Sequence, residues 1–163
     1  NDCHKALAEL ERMGKLKAVV TQNIDGLHQE AGSSCVLELH GSIRRSYCMD
    51  CHAFYDERFL QASEGVPHCT KCGGIVKPDV VLYEESLDAD VLDAAVRAIA
   101  AADLLIVGGT SLVVYPAAGL LRCFKGRHLV LINKTATKAD ERADLVIHDS
   151  LGEVFREVMV GLT

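Results

Sequence analysis

The sequence lacks any apolar run approaching the ~18–20 residues of a membrane span, and no basic, apolar, small-residue leader is present. Both absences lead us to expect neither a membrane protein nor a secreted one. Positive charge is in short supply as well. The 17 Lys and Arg are outnumbered by 23 Asp and Glu, for a net charge of -6. Phosphate contacts need clustered Lys and Arg, so a nucleic-acid-binding surface is not expected. There is no internal repeat and no low-complexity linker. Residues 42 to 77 also lack any hydrophobic period long enough to build a core of their own.

What is present suits an ordinary folded domain: 163 residues, 49% of them apolar and 25% charged. That length allows one domain with a small inserted module. Seven cysteines, an odd number, read as reduced thiols plus a metal site, which points to the cytoplasm.

Along the chain, Asp2 can cap a helix with Ala6, Leu7, Leu10 and Met13 at helical spacing and Gly14 ending it. Leu16 to Val20 is short and apolar, a buried strand, and gives way to the polar run from Thr21 to Gly26. An Ala-rich helix is expected over Asp88–Ala102. A second buried strand, Leu104–Val107, runs into Gly108-Gly109-Thr110-Ser111. Pro116 suits the first turn of a helix reaching about Phe124. His128–Ile132 and Leu145–Ile147 are two further strands, and Ser150 can cap a final helix. Apolar strands alternating with helices predict a doubly wound parallel, Rossmann-like α/β sheet over 1–41 and 78–163. Ligands of such sheets bind beyond the carboxyl ends of the strands. Three of those ends carry Gln22-Asn23-Asp25, Gly109-Thr110-Ser111 and Asn133, side chains suited to ribose hydroxyls, amides and phosphates, though also ordinary turn residues.

Residues 42–77 form the inserted module. Cys48-x-x-Cys51 and Cys69-x-x-Cys72 stand at structural zinc spacing, each turn aiming two thiolates at one centre. Four thiolates close the site to water, so the metal is expected to be structural, and its binding to supply much of the module's folding free energy. Iron also accepts four thiolates, but zinc is the better fit. His52 and His68 are expected to face solvent rather than the metal.

Several segments together resemble the sirtuins. Thr21-Gln22-Asn23-Ile24-Asp25-Gly26-Leu27-His28 resembles the family signature, and Leu37-Glu38-Leu39-His40-Gly41-Ser42 its second motif. Pro78-Asp79-Val80-Val81, Gly109 through Ala118, and Ile132-Asn133 follow in the family's order around the cysteine pairs. The resemblance implies NAD-dependent removal of an acetyl or other acyl group from protein lysine, giving nicotinamide and O-acyl-ADP-ribose. It implies His40 as general base on a ribose hydroxyl. Asn23 and Asp25 would hold the nicotinamide ribose and carboxamide, and Gln22 a ribose. Gly109, Thr110 and Ser111 would lie on the phosphates and adenine ribose, Asn133 on the adenosine end, and Lys134 and the Leu151 backbone near adenine. Val81 and Val113 would flank an acyl-lysine peptide bound as an added strand.

Two departures qualify the resemblance. Tyr83-Glu84-Glu85 stands where the family commonly has Phe-Gly-Glu, which puts a side chain at a glycine position and favours basic residues flanking the lysine. The family's first strand and glycine-rich loop are not found before Asn1. On that ground we expect an incomplete sheet, poor activity from these residues alone, and a partner in a separate segment or a strand-exchanged copy. A zinc-stabilised module that binds ADP-ribose or a partner without turnover is the alternative. A zinc-ribbon nucleic-acid binder is a third reading, but Arg44, Arg45, Arg58, Lys71 and Lys77 are offset by Asp50, Asp56, Glu57 and Glu64.

Overall fold

The computed structural model describes residues 1–112 and 117–162. Helix α1 (Asp2–Arg12) is capped by Asn1, whose side chain accepts from the His4 N–H, rather than by Asp2 as expected. The amides of Lys15 and Leu16 both donate to the Leu10 carbonyl. This closure keeps Leu16 out of the sheet, so strand β1 is Val19–Thr21 and not Leu16–Val20. After a short helix α2 (Leu27–Glu30), strand β2 (Val36–Glu38) pairs with β1 in parallel, Val19 opposite Val36. The sequence pattern had not marked this three-residue strand.

Strands β3 (Gly41–Cys48), β4 (Phe54–Asp56) and β5 (Val76–Val80) form an antiparallel sheet in the order β4-β3-β5, with helix α3 (Glu57–Gln61) against it. Helix α4 (Ala89–Ala101), capped by Asp88, leads into β6 (Leu104–Gly108). A short helix α5 (Ala117–Leu120) and a tight 3-10 turn precede β7 (His128–Ile132), then β8 (Leu145–Ile147) and helix α6 (Leu151–Leu162). Strands β6, β7 and β8 form a parallel sheet in that order.

Among the described residues, two apolar cores cover the parallel strands. Buried Leu39, Ala95, Ile99 and Leu120 gather Val20 and Leu37 from the first sheet piece and Leu105 from the second. Helix α4 therefore spans both pieces. Ala6, Ile132 and Phe155 form the other core, where α1 and α6 pack on β7 and β8. Burying each leucine, isoleucine or phenylalanine among them contributes about 1.5–3 kcal/mol. The parallel strands nonetheless form two separate sheets among the described residues, β1-β2 and β6-β7-β8, with no pairing between β1 and β6. Leu104 and Ile106 on β6 stay 49% and 40% exposed, an uncovered apolar face beside that gap.

Candidate active site and metal centre

His40 sits in the link between β2 and β3. Its Nδ1 lies 3.1 Å from the Gln22 carbonyl oxygen. A carbonyl only accepts, so Nδ1 carries the proton, and in the neutral ring Nε2 keeps its lone pair free to accept one. The backbone is held too: the Val81 N–H donates to the His40 carbonyl at 3.0 Å. Gly41 follows at φ 74°, a left-handed conformation, and a Cβ there would stand 1.9 Å from the Asp79 carbonyl oxygen. Only glycine lets the β3 turn close on β5. The expected base and one expected substrate contact, Val81, are thus adjacent. Val113 lies outside the described residues.

The polar loop after β1 is ordered by local bonds. The Asn23 N–H donates to Thr21 Oγ1, and Asp25 Oδ1 accepts from the Leu27 N–H at 2.9 Å, starting α2. The Ile43 N–H donates to the Ile24 carbonyl, tying this loop to β3. Gln22 keeps a buried Nε2 with no hydrogen-bond partner among the described residues. A buried amide donor left open is costly.

A cleft of about 340 Å³ opens at the carboxyl ends of β6 and β7. Gly109, Thr110, Ser111, Asn133, Lys134 and Leu151 line it, so the expected adenosine and phosphate contacts are together. The Thr110 N–H donates to Asn133 Oδ1 at 3.0 Å, which fixes the glycine loop to the end of β7. Asn133 is buried, and its Nδ2 has no partner among the described residues. Its backbone is held by Ile147 and by the His148 ring. Thr135 and Asp149 also line the cleft. Sequence reasoning missed them because they follow Asn133 and β8 in irregular loops without a motif. Gln22, Asn23, Asp25 and His40 do not line this cleft. The two groups of residues stand on separate sheets.

Loop 82–85 carries the sequence departure. Glu84 adopts φ 70°, the backbone conformation that favours glycine, and Tyr83 beside it is fully exposed. Glu85 is used locally, accepting from the Leu82 N–H and pairing with Lys77.

In the module, the sulfurs of Cys48, Cys51, Cys69 and Cys72 all lie within 4.8 Å of one another, with Cys48–Cys72 at 3.4 Å and Cys51–Cys69 at 3.5 Å. Tetrahedral zinc with bonds of about 2.3 Å sets its sulfurs roughly 3.8 Å apart, so the donor set fits. A hydrogen bond from the Tyr55 hydroxyl pulls the Cys69 thiol down to about 5. The Gly74 N–H lowers Cys72, but the crowding Cys48, Cys51 and Cys69 sulfurs outweigh it and push Cys72 up to about 12. Four sulfurs this close need a cation among them before all can be thiolates. His52 and His68 are exposed and stay out of the cluster, His68 facing the Gly73 carbonyl at 2.9 Å. Three of the module's basic residues are offset: Arg44 pairs with Glu30, Arg45 with Glu38 and Asp79, Lys77 with Glu85.

With this geometry in place, the comparisons with known proteins assign the class. The Sir2 family pattern matches residues 1–116. The chain is 68% identical over 160 residues to an NAD-dependent protein deacetylase of Clostridium perfringens, covering 98% of this chain and 66% of that protein. It is 63% identical to a second protein of that name from Clostridium acetobutylicum, covering 98% of this chain and 65% of the relative. A solved Sir2 with a p53 peptide and NAD+ superposes at TM-score 0.89 and 40% identity, covering 100% of this chain and 71% of that one. A Sir2 bound to a propionylated peptide matches at TM-score 0.90 and 41% identity, covering 99% and 70%.

The chain belongs to the Sir2 family, with a Rossmann-like fold and a four-cysteine module. It spans slightly under two thirds of the length of the Clostridium relatives it matches. No helix among the described residues is long and apolar enough to cross a membrane.

Proposed function

We propose that this chain carries the catalytic base, the adenosine half-site and the zinc centre of an NAD-dependent protein-lysine deacylase. The observation that carries this reading is His40: Nδ1 is engaged by the Gln22 carbonyl, Nε2 is left as acceptor, and the main chain is bonded to Val81. The open donors Gln22 Nε2 and Asn133 Nδ2 suit a ligand rich in hydroxyl and phosphate oxygens. The zinc ion would be held by Cys48, Cys51, Cys69 and Cys72, where it supplies folding free energy rather than chemistry.

In this reading Gly109, Thr110 and Ser111 hold the phosphates and adenine ribose, with Asn133, Lys134 and the Leu151 backbone around the adenosine end. Gln22, Asn23 and Asp25 orient the nicotinamide ribose and carboxamide. Val81 and Val113 flank a peptide laid in as a strand, which tolerates many sequences. The acyl oxygen attacks the anomeric carbon as the bond to nicotinamide breaks. His40 Nε2 takes the proton of a ribose hydroxyl, freeing that oxygen to receive the acyl group. Water then adds at the acyl carbon and the lysine amine leaves, so one water is consumed and the products are nicotinamide, lysine and O-acyl-ADP-ribose. We place the protein in the cytoplasm, since thiols gathered for a metal need a reducing compartment.

The separation of β1-β2 from β6-β7-β8 favours a second reading for the 163 residues by themselves, a zinc-stabilised module that binds ADP-ribose without turnover. One assay separates the two. Nicotinamide release is measured with NAD and an acetyl-lysine peptide, for this chain and for a chimera adding the third of the Clostridium perfringens relative that the chain does not span. The chimera is expected to release nicotinamide only with both substrates, and the chain alone to bind ADP-ribose weakly and release none. A folded, zinc-loaded chimera that releases none would leave only the binding module.

A further inference from the structure

An arginine with no part in the proposed chemistry ties together the strands on either side of His40. In the β3–β5 ladder Gly41 faces Val80 and Ser42 faces Asp79, and the next pair is Ser46 with Pro78. Ile43, Arg44 and Arg45 therefore bulge from β3 with no partners on β5, while Arg45 keeps Asp56 opposite it on β4. Bulges re-aim side chains, and this one turns Arg45 back toward the active-site end of the sheet. Arg45 Nη1 donates to Glu38 Oε2 at 2.7 Å, and Nε to Asp79 Oδ2 at 2.9 Å.

Both carboxylates border the base. Glu38 ends β2, two residues before His40, and its side chain is only 6% exposed. A carboxylate buried to that degree requires a partner. Asp79 abuts Gly41, the residue after His40, through its carbonyl. Two residues beyond Asp79, the Val81 N–H donates to the His40 carbonyl. The guanidinium fork thus fixes the end of β2 against the end of β5, beside His40 in the link from β2 to β3. An ammonium could not hold both carboxylates in one plane.

We propose that Arg45, clamped by Glu38 and Asp79, is a positioning residue that sets His40 and the Val81 peptide edge relative to one another. Its catalytic consequence rests on the deacylase reading, whereas its structural consequence does not. The test therefore has two readouts. Amide hydrogen exchange is measured at Val81 in the zinc-loaded 163-residue chain, with the Asn133 amide, bonded to the Ile147 carbonyl, as reference. Arg45→Met is combined with Glu38→Gln so that no buried charge is left unpaired, and Arg45→Lys is the conservative variant.

Val81 exchange should rise about tenfold or more in the double variant and less in Arg45→Lys, with Asn133 unchanged. In the chimera, kcat for nicotinamide release should fall about 10- to 100-fold, the scale of a small misplacement of a reacting group, while KM for NAD stays nearly constant. Unchanged Val81 exchange in the double variant overturns the clamp, and faster exchange with unchanged kcat overturns its positioning role. If the parent chimera releases no nicotinamide, the deacylase reading has failed, and Val81 exchange alone decides whether Arg45 sets this turn.

Discussion

Gly41 shows how tightly one residue can be specified. At φ 74° a Cβ would meet the Asp79 carbonyl oxygen, part of the backbone that cannot swing away. Gly41→Ala should cost about 1–3 kcal/mol from the left-handed backbone alone, and more from displacing β5. Chemical denaturation would check this, and a loss below about 0.5 kcal/mol would show that the turn can relax. Gly74, packed on Asp50 and the Cys48 sulfur, faces a softer obstacle, because the Asp50 side chain can move. The four cysteines could be read from their spacing, whereas His40 was singled out by the resemblance to the sirtuins, and Gln22 and Asn133 by that resemblance together with their place at strand ends. Arg45 was marked by neither, since its partners lie 7 and 34 residues away and only the bulge brings them together.

At the scale of elements, α1 and α2 meet through two histidine rings, His4 and His28, with centroids 4.5 Å apart. Burial lowers the pKa of both below the ordinary 6.5. The neighbouring His4 ring lowers His28 further, with Asp25 and Glu38 opposing. A lowered histidine pKa means that the unfolded chain binds more protons. The stabilisation is complete above pH 6.5 and is lost as the pH falls below it, toward the folded values. The melting temperature should therefore drop between about pH 7 and pH 5, above the range in which Glu11, Asp140 and Asp2, all lowered by hydrogen bonds, take up protons. His28→Gln should flatten that slope, and an unaltered slope would show that the pair does not sense pH.

Strand prediction divides along the same physical lines. β7 and β8 fall where their branched apolar runs predict, and α4 begins one residue after its Asp88 cap. The expected start of β1 at Leu16 is overridden by the closure onto the Leu10 carbonyl. β3 and β5 were unreadable for another reason. Ser42 and Ser46 are among their buried residues, and the strands are organised by the sulfurs at one end rather than by apolar alternation.

At the scale of the whole molecule, the chain is organised by the four-cysteine cluster and by the gap between β1 and β6. β3 starts beside His40 and ends at Cys48, and β5 returns from the second cysteine pair to Val81. Metal analysis should find one zinc per chain. Chelation should release amide protection over residues 41–80 while β7 and β8 keep theirs. A metal-free chain retaining that protection would show the module to be held by packing alone. The gap between β1 and β6 leaves His40 on one side and the cleft lined by Gly109 and Asn133 on the other, with α4 bridging the two sheets. Turn and strand patterns within the chain could not reveal this separation of the two parallel sheets.

The central claim is that His40 is the base of an NAD-dependent deacylase. Its most direct test is the rate of acetyl-lysine-dependent nicotinamide release and O-acyl-ADP-ribose formation by the chimera with His40→Ala. The account predicts a fall in turnover of roughly 10²–10⁴-fold, with zinc content and melting temperature unchanged. Turnover at the parent rate in that variant would contradict it, making His40 a structural histidine held between Gln22 and Val81.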